Sequence, residues 1–235
     1  MKNFSISVFF PVYNDEKTIP KLISTIVPIL KRVSNDYEII LVNDCSTDNS
    51  GKVIERLAKK YKKIKVIHHK QNKGYGGALK TGFSNAKKEW VFYTDGDGQY
   101  DVRELKKIIP LMDHADVVNG YKIKRSDSYS RKFFGALYKY LVNFLFGLRM
   151  KDVDCDFRLM KRKVFNGIKL ESNSGFMVAE MMSKIQKNGF KIKEVPVHHY
   201  SRLEGRSQFF KISRVINVFS ELFIQWRKMI SKRWK

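Results

Sequence analysis

VFYTDGDGQYD, residues 91–101, is the stretch on which the fold turns. Val91-Phe92-Tyr93-Thr94 suits a strand and runs directly into three carboxylates, Asp95, Asp97 and Asp101, with two glycines among them. Like charges this close repel and raise one another's pKa, so either a cation belongs beside them or the segment is an ordinary Asp-Gly turn. The surrounding sequence decides between the two.

Outward from this stretch, apolar runs alternate with helix-like segments. ISVFFPV (6–12), YEIILVN (37–43), KVIHH (65–69), WVFYT (90–94) and ADVVNG (115–120) read as strands. One helical pattern covers about residues 16–33, a second follows Asp48 as its N-cap, and a third holds GGALKTGFSNA. The alternation predicts an α/β fold, a mostly parallel sheet flanked by helices. Ligands of such sheets sit beyond the carboxyl ends of the strands. Four polar motifs fall there: Pro11-Val12-Tyr13-Asn14-Asp15-Glu16, Asn43-Asp44-Cys45-Ser46-Thr47-Asp48, Lys73-Gly74-Tyr75-Gly76-Gly77-Ala78, and the acidic turn. Four motifs on one edge point to a site.

Two carboxylates one residue apart can share a hard divalent cation, so Asp95 and Asp97 are candidate ligands for Mg²⁺ or Mn²⁺, with the Gln99 amide oxygen as a neutral third. KGYGGA opens a helix, where free amides favour phosphate, although its spacing is neither a P-loop nor a dinucleotide fingerprint. Asp44 suits either a nucleobase or ribose contact or a capping role. Metal, diphosphate and nucleoside together suggest a nucleotide-linked donor.

The 235 residues allow a full core, most simply one α/β domain with an appendage. With 46 Lys+Arg against 23 Asp+Glu, the formal charge of +23 favours nucleic acid, an anionic membrane face or a phosphorylated substrate, unless it is a solvated surface of the Lys59–Lys65 kind. Cys45 and Cys155, the only cysteines, have no metal spacing and suit a reducing compartment. The N-terminus lacks a signal-peptide layout. The longest apolar stretch, FFGALYKYLVNFLFGL (133–148), is interrupted by Lys139 and Asn143, so no transmembrane helix is expected.

Over residues 4–208 the chain resembles the family 2 glycosyltransferases of GT-A fold. FPVYNDE is similar to the family's first strand and nucleotide-contacting turn. LVNDCSTD resembles V-D-D-G-S-x-D, with Asn43 and Cys45 in place of Asp and Gly. NKGYGGALKTG resembles N-x-G-x-G-x-A, and TDGDGQ resembles the D-x-D-x-Q metal motif. The resemblance implies a metal-dependent transferase. In it Asp95 and Asp97, with Gln99, hold the ion on the donor diphosphate, and Asp97 is catalytic. Pro11, Tyr13, Asn14, Asp15 or Glu16, Asp44, Lys73, Gly74 and Asp95 then contact the donor.

DVDCDFRLMKR (152–162), GFMVAEMMSKIQKNGF (175–190) and KEVPVHHYSRLEGRS (193–207) resemble the polyprenyl-phosphate sugar transferases, including dolichyl-phosphate mannose and glucose synthases. That group implies an acceptor phosphate attacking the anomeric carbon in one inverting step, with no strong base because a phosphate monoester is already largely ionised. Lys122 and Arg131 stand where the group places acceptor-phosphate arginines, Lys122 trading the fork for a point charge. Arg202 and Arg206 lie in a loop suited to closing over either phosphate. DVDCDFR departs from D-x-x-S-G-F-R at Asp154 and Asp156. One of Asp152, Asp154 or Asp156 is then expected to steer the acceptor or act as base for a hydroxyl, unless these residues pair with Lys151, Lys161 and Arg162. His198 and His199 read as a polar strand end in preference to a metal ligand.

Beyond Ser207, Phe209, Ile212, Ile216, Phe219, Phe223, Trp226 and Ile230 recur three and four apart, and Glu221 is the only acid. Residues 1–207 are therefore expected to form the catalytic domain. Residues 208–235 are expected to form a basic amphipathic helix, lying on an anionic membrane or packed on the domain. The resulting expectation is a hexosyltransferase, peripheral on the cytoplasmic membrane face, moving sugar from a UDP- or GDP-linked donor to a polyprenyl phosphate. Partners would include a membrane protein or a second copy, and no nucleic acid. A sugar hydroxyl in surface polysaccharide synthesis is the alternative acceptor. A basic nucleic-acid-binding module is the alternative of another class, without a recognised motif.

Overall fold

The apolar runs pair side by side into one seven-stranded sheet. The computed structural model describes residues 4–123, 129–201 and 212–231. The strands are β1 (Ser5–Val12), β2 (Asp36–Asn43), β3 (Ile64–His68), β4 (Trp90–Thr94), β5 (Val117–Lys122), β6 (Phe157–Lys161) and β7 (Ile192–Val197). The helices are α1 (Ile19–Val33), α2 (Ser50–Lys60), α3 (Gly74–Asn85), α4 (Leu105–Ile108), α5 (Tyr129–Phe146), α6 (Phe176–Lys187) and α7 (Ile212–Ile230). The strand order is β3-β2-β1-β4-β6-β5-β7, and only β6 runs against its neighbours, antiparallel to β4 and β5.

Successive strand residues point to opposite faces, and both faces are covered. Val8, Phe10, Ile39, Leu41 and Phe92 pack with Ile23, Ile26 and Leu30 of α1, Ile54 of α2 and Leu105 of α4. Phe9, Ile40, Val91 and Tyr93 pack with Leu79 and Phe83 of α3, Val142 of α5, Met181 of α6 and Leu222 of α7. Near-continuous apolar strands are the result. The second helix starts one residue later than its expected cap: Asn49 holds the N-cap position, while Asp48 Oδ1 accepts from the Ser50 N–H at 2.8 Å.

The C-terminal helix divides the stripe read from its sequence. Phe219, Trp226 and Met229 pack on the core around the fully buried Leu222, and Gln225 is buried with them, whereas Ile216, Phe223 and Ile230 face outward. A seven-residue repeat drifts around a 3.6-residue helix, so a stripe drawn through 216, 223 and 230 passes beside the buried meridian through 219, 222, 226 and 229. Phe209 lies outside the described residues. Polar clamps fix the docking: Ser172 Oγ donates to Glu221 Oε2 at 2.5 Å, and Lys228 Nζ meets Glu171 Oε2 at 2.5 Å. Truncating Leu222 to alanine should therefore cost about 2–5 kcal/mol of unfolding free energy. Ile216→Ala should stay within about 0.5 kcal/mol. Urea denaturation of both variants checks this, and equal effects would mean that α7 is not docked as described.

Candidate active site

The carboxyl ends of β1 and β2 are tied together by side chains that the sequence places just past each strand. Asn14 takes a left-handed backbone (φ 58°), which asparagine tolerates. Its Oδ1 accepts from the Thr47 N–H at 2.8 Å, and its own N–H donates to Ser46 Oγ at 3.1 Å. The Asp15 N–H donates to Ser50 Oγ at 2.8 Å, and Glu16 Oε2 accepts from the Asn49 N–H at 2.9 Å. Pro11, the last residue but one of β1, pairs in register with Val42, and Tyr13 follows the strand. Cys45, where the family pattern has glycine, is also left-handed at φ 60°.

Asp44 sits between these loops and α3. Its Oδ1 accepts from His69 Nδ1 at 2.7 Å and from the Lys73 N–H at 2.8 Å, and its carbonyl accepts from Asn72 Nδ2 at 3.0 Å. A carboxylate only accepts, so Nδ1 carries the histidine proton; Nε2 lies 2.9 Å from Thr81 Oγ1. The amides of Gly74 and Gly76 also find acceptors within the protein, Asn72 Oδ1 at 3.1 Å and the Asn173 carbonyl at 3.0 Å. The start of α3 is thus less of an open phosphate cradle than KGYGGA suggests. Gly76 answers a different need: a Cβ there would stand 2.7 Å from the Asn173 backbone.

At the end of β4, Asp95 Oδ1 accepts from the Tyr75 hydroxyl at 2.7 Å, and Asp97 Oδ1 accepts from the Gln99 N–H at 3.0 Å. Gln99 spends its side-chain nitrogen on the Tyr200 carbonyl at 2.9 Å. Asp101 belongs to a different task, capping the turn Val102–Glu104 and pairing with Arg103. Burial, and after it the charges of Asp156 and Asp97, push the Asp95 carboxyl well above its usual range; Tyr75 and Lys122 pull it down. Two oxygen-only side chains this close fit a hard divalent cation. No three His, Cys, Asp or Glu gather closely enough to hold a metal among the described residues, so an ion on the two carboxylates would take its other ligands from Gln99 and from outside the chain.

The reversed β6 starts at this same edge, which brings the 152–156 loop opposite Asp95. Asp152 Oδ2 accepts from the Lys122 N–H at 3.3 Å, and Lys122 Nζ donates to the Asp154 carbonyl at 2.8 Å. Asp156 Oδ1 accepts from the Tyr93 hydroxyl at 3.3 Å and lies 3.6 Å from Arg158 Nη1. Burial raises the Asp156 carboxyl while Arg158, Lys122 and both tyrosines oppose it. Burial also pushes the Cys155 thiol up to about 12, so it stays protonated. Arg158 is wholly buried and donates to Asn119, Tyr93 and the Val153 carbonyl. Arg131 lies in the first turn of α5, and its side chain is outside the described part; Arg202 and Arg206 lie outside the described residues. His198 follows β7 and is held by Glu104, Nδ1 to Oε1 at 2.7 Å.

His69, Tyr75, Tyr93 and Arg158 were not singled out by sequence reasoning. The usable signals were a histidine immediately after a strand, a tyrosine among glycines, and an arginine inside an apolar run.

A mostly parallel sheet with one reversed strand and carboxylates at its carboxyl edge is the arrangement of a GT-A glycosyltransferase. The model for glycosyl transferase family 2 matches residues 7–168, and the chain belongs to that family. It is 29% identical over 222 residues to an undecaprenyl-phosphate 4-deoxy-4-formamido-L-arabinose transferase of Enterobacter sp. (strain 638), covering 92% of this chain and 66% of that protein. The chain thus spans about two-thirds of the relative's length. Among solved structures it is similar to glucosyl-3-phosphoglycerate synthase from Mycobacterium tuberculosis in complex with Mn²⁺, UDP-glucose and phosphoglyceric acid (TM-score 0.71, 15% identity, covering 95% of this chain and 80% of that one). It is also similar to a mannosyltransferase from Pyrobaculum calidifontis in complex with GDP-Man and Mn²⁺ (TM-score 0.67, 18% identity, 95% and 64%). As a family 2 glycosyltransferase the chain is an enzyme, and the nucleic-acid-module alternative gives way.

Cys45 carries a Cβ in a backbone region that costs an L-residue roughly 1–2 kcal/mol. Cys45→Gly should consequently raise the melting temperature, with a gain of about 1 kcal/mol after the entropic cost of glycine, and leave nucleotide binding intact. Differential scanning calorimetry checks this; an unchanged or lower melting temperature would contradict it.

Proposed function

We propose that the chain is a metal-dependent, inverting hexosyltransferase that moves a sugar from a nucleotide sugar to a polyprenyl phosphate at the cytoplasmic face of a membrane. The observation that carries it is the juxtaposition at one sheet edge of the Asp95/Asp97 pair with Lys122 and the 152–156 loop. The likeness to an undecaprenyl-phosphate transferase supports the acceptor class. Asp95 and Asp97, with Gln99 Oε1 as a third oxygen, would hold Mg²⁺ or Mn²⁺, which when bound neutralises charge on the departing nucleoside diphosphate. Asp44, Tyr13, Asn14 and Glu16 line the nucleoside side, and the exposed Lys73 side chain supplies a cation for the diphosphate. An acceptor phosphate oxygen attacks the anomeric carbon as the bond to the diphosphate oxygen breaks, inverting that carbon. The ammonium of Lys122 donates one of its three N–H groups to the Asp154 backbone carbonyl and keeps two for the acceptor phosphate.

Transfer to a sugar hydroxyl is the second reading, because it needs a base and Asp156 is a half-buried carboxylate beside Asp95.

Membrane attachment is supported by what α5 and α7 leave outside. Leu137, Tyr140 (67% exposed) and Phe144 (72%) face outward on α5, as do Ile216, Phe223, Ile224 and Ile230 on α7. Neither helix places an acid there, since the only one, Glu221, turns inward to Ser172 and Ser174. No helix among the described residues is long and apolar enough to cross a membrane.

Wild-type enzyme with Mn²⁺ should transfer radiolabelled sugar from UDP- or GDP-sugars to undecaprenyl phosphate. Asp97→Ala should lower the rate at least about 100-fold, the scale expected when transition-state charge loses its partner, with an unchanged melting curve. Transfer that persists in chelator would refute the metal role, and transfer only to glycan hydroxyls would favour the second reading. Vesicle sedimentation tests attachment separately: the double change Tyr140→Ser and Phe223→Ser should release the protein from anionic vesicles without unfolding it. Wild-type protein that stays in the supernatant at low salt would refute attachment.

A further inference from the structure

The phenol of Tyr75 is a polar group of the candidate site, in direct contact with the metal motif, that the proposed reaction leaves without a task. It is delivered by the first turn of α3, whose backbone is pressed against the 172–174 loop. The Gly76 N–H donates to the Asn173 carbonyl at 3.0 Å, and no side chain fits at Gly76. Gly74, at φ 75°, turns the chain into that position. The glycine-rich segment thus places a tyrosine rather than opening a cradle of free amides.

Two carboxylates flank the Tyr75 hydroxyl, Asp95 and Asp156, and a phenol has a single proton to give. Asp156 is already supplied: the Tyr93 hydroxyl donates to its Oδ1 at 3.3 Å, and Arg158 Nη1 stands 3.6 Å away. Arg158 is held in turn by Asn119, Tyr93 and the Val153 carbonyl. The Tyr75 proton goes to Asp95 Oδ1 at 2.7 Å. Oδ2 of Asp95 accepts from no described residue.

We propose that Tyr75 is a positioning residue for the metal site: its hydroxyl fixes the Asp95 carboxylate in one orientation, occupying Oδ1 and presenting Oδ2 to the divalent cation. The proposal rests on the metal dependence put forward above. Hydrogen bonds that orient a metal-binding side chain typically govern 10- to 100-fold in affinity. Tyr75→Phe keeps the ring and removes only the hydroxyl, so folding is preserved.

The test measures Mn²⁺ binding to the full chain in the presence of UDP and of GDP, by the loss of the free-ion electron paramagnetic resonance signal, for wild type, Tyr75→Phe and Asp97→Ala. Tyr75→Phe should bind Mn²⁺ about 10- to 100-fold more weakly, with an unchanged melting curve and a maximal transfer rate recovered at saturating Mn²⁺. Wild-type affinity in Tyr75→Phe, beside lost binding in Asp97→Ala, would overturn this inference and leave the metal-dependent reading standing. A transfer rate that stays low in Tyr75→Phe at every Mn²⁺ concentration would overturn it too, by giving the phenol a role other than holding the metal carboxylate. Absence of Mn²⁺ binding in the wild type would instead sink the metal-dependent reading on which it rests.

Discussion

One buried guanidinium joins the three strands that make the candidate site. Arg158 of β6 has no exposed surface, and it donates to Tyr93 on β4, to Asn119 on β5 and to the Val153 carbonyl in the loop before its own strand. Burying a charge costs several kcal/mol unless its donors are satisfied. Burial disfavours the charged form of Arg158, and Tyr93 and Asp156 more than offset that. Those partners exist together only if β6 is inserted, reversed, between β4 and β5. The ion therefore specifies the sheet order as much as it stabilises it. Reversal has a further consequence: the start of β6 arrives at the edge where its neighbours end, which brings Asp156 beside Asp95.

Much of this was legible in local pattern. Ile6–Val12, Tyr37–Asn43 and Trp90–Thr94 are apolar enough to announce strands covered on both faces, and polar motifs after each marked the edge that carries the candidate site. The reversed strand was not legible. Phe157-Arg158-Leu159-Met160-Lys161 carries two cations in five residues, and nothing local says that the first of them is buried. Its burial depends on Tyr93 and Asn119, which are distant in the chain and adjacent only after folding. The glycines of KGYGGA were only partly legible for a related reason. Glycine marks a close approach, but the sequence does not say to what, and here the neighbour of Gly76 is the Asn173 backbone. On α7 the stripe was displaced from the buried meridian because period alone cannot say which side of an apolar band meets the core.

The chain is strongly basic as a whole and acidic where the chemistry is proposed. At physiological salt a charge is felt over a Debye length of about 8 Å, so a diffusing anion meets the lysine-rich surface first and the carboxylates only on arrival. On the proposed reading, the net charge of +23 raises the local concentration of nucleotide sugar and anionic lipid alike. It cannot seat a diphosphate among Asp95, Asp97 and Asp156, whose charges would repel it. On that reading a divalent cation held there would convert the repulsion into a bridge, and the acidic edge would favour metal-bound over free nucleotide. Lys122 completes the division of labour. It lies on the acceptor side, close enough to Asp95 to pull its carboxyl down, yet its ammonium is fixed to the Asp154 carbonyl and not to the metal motif. On the proposed reading positive charge would thus stay available for a second anion while the donor's anion took the metal, and two phosphate-bearing substrates would approach one sheet edge without competing for the same cation.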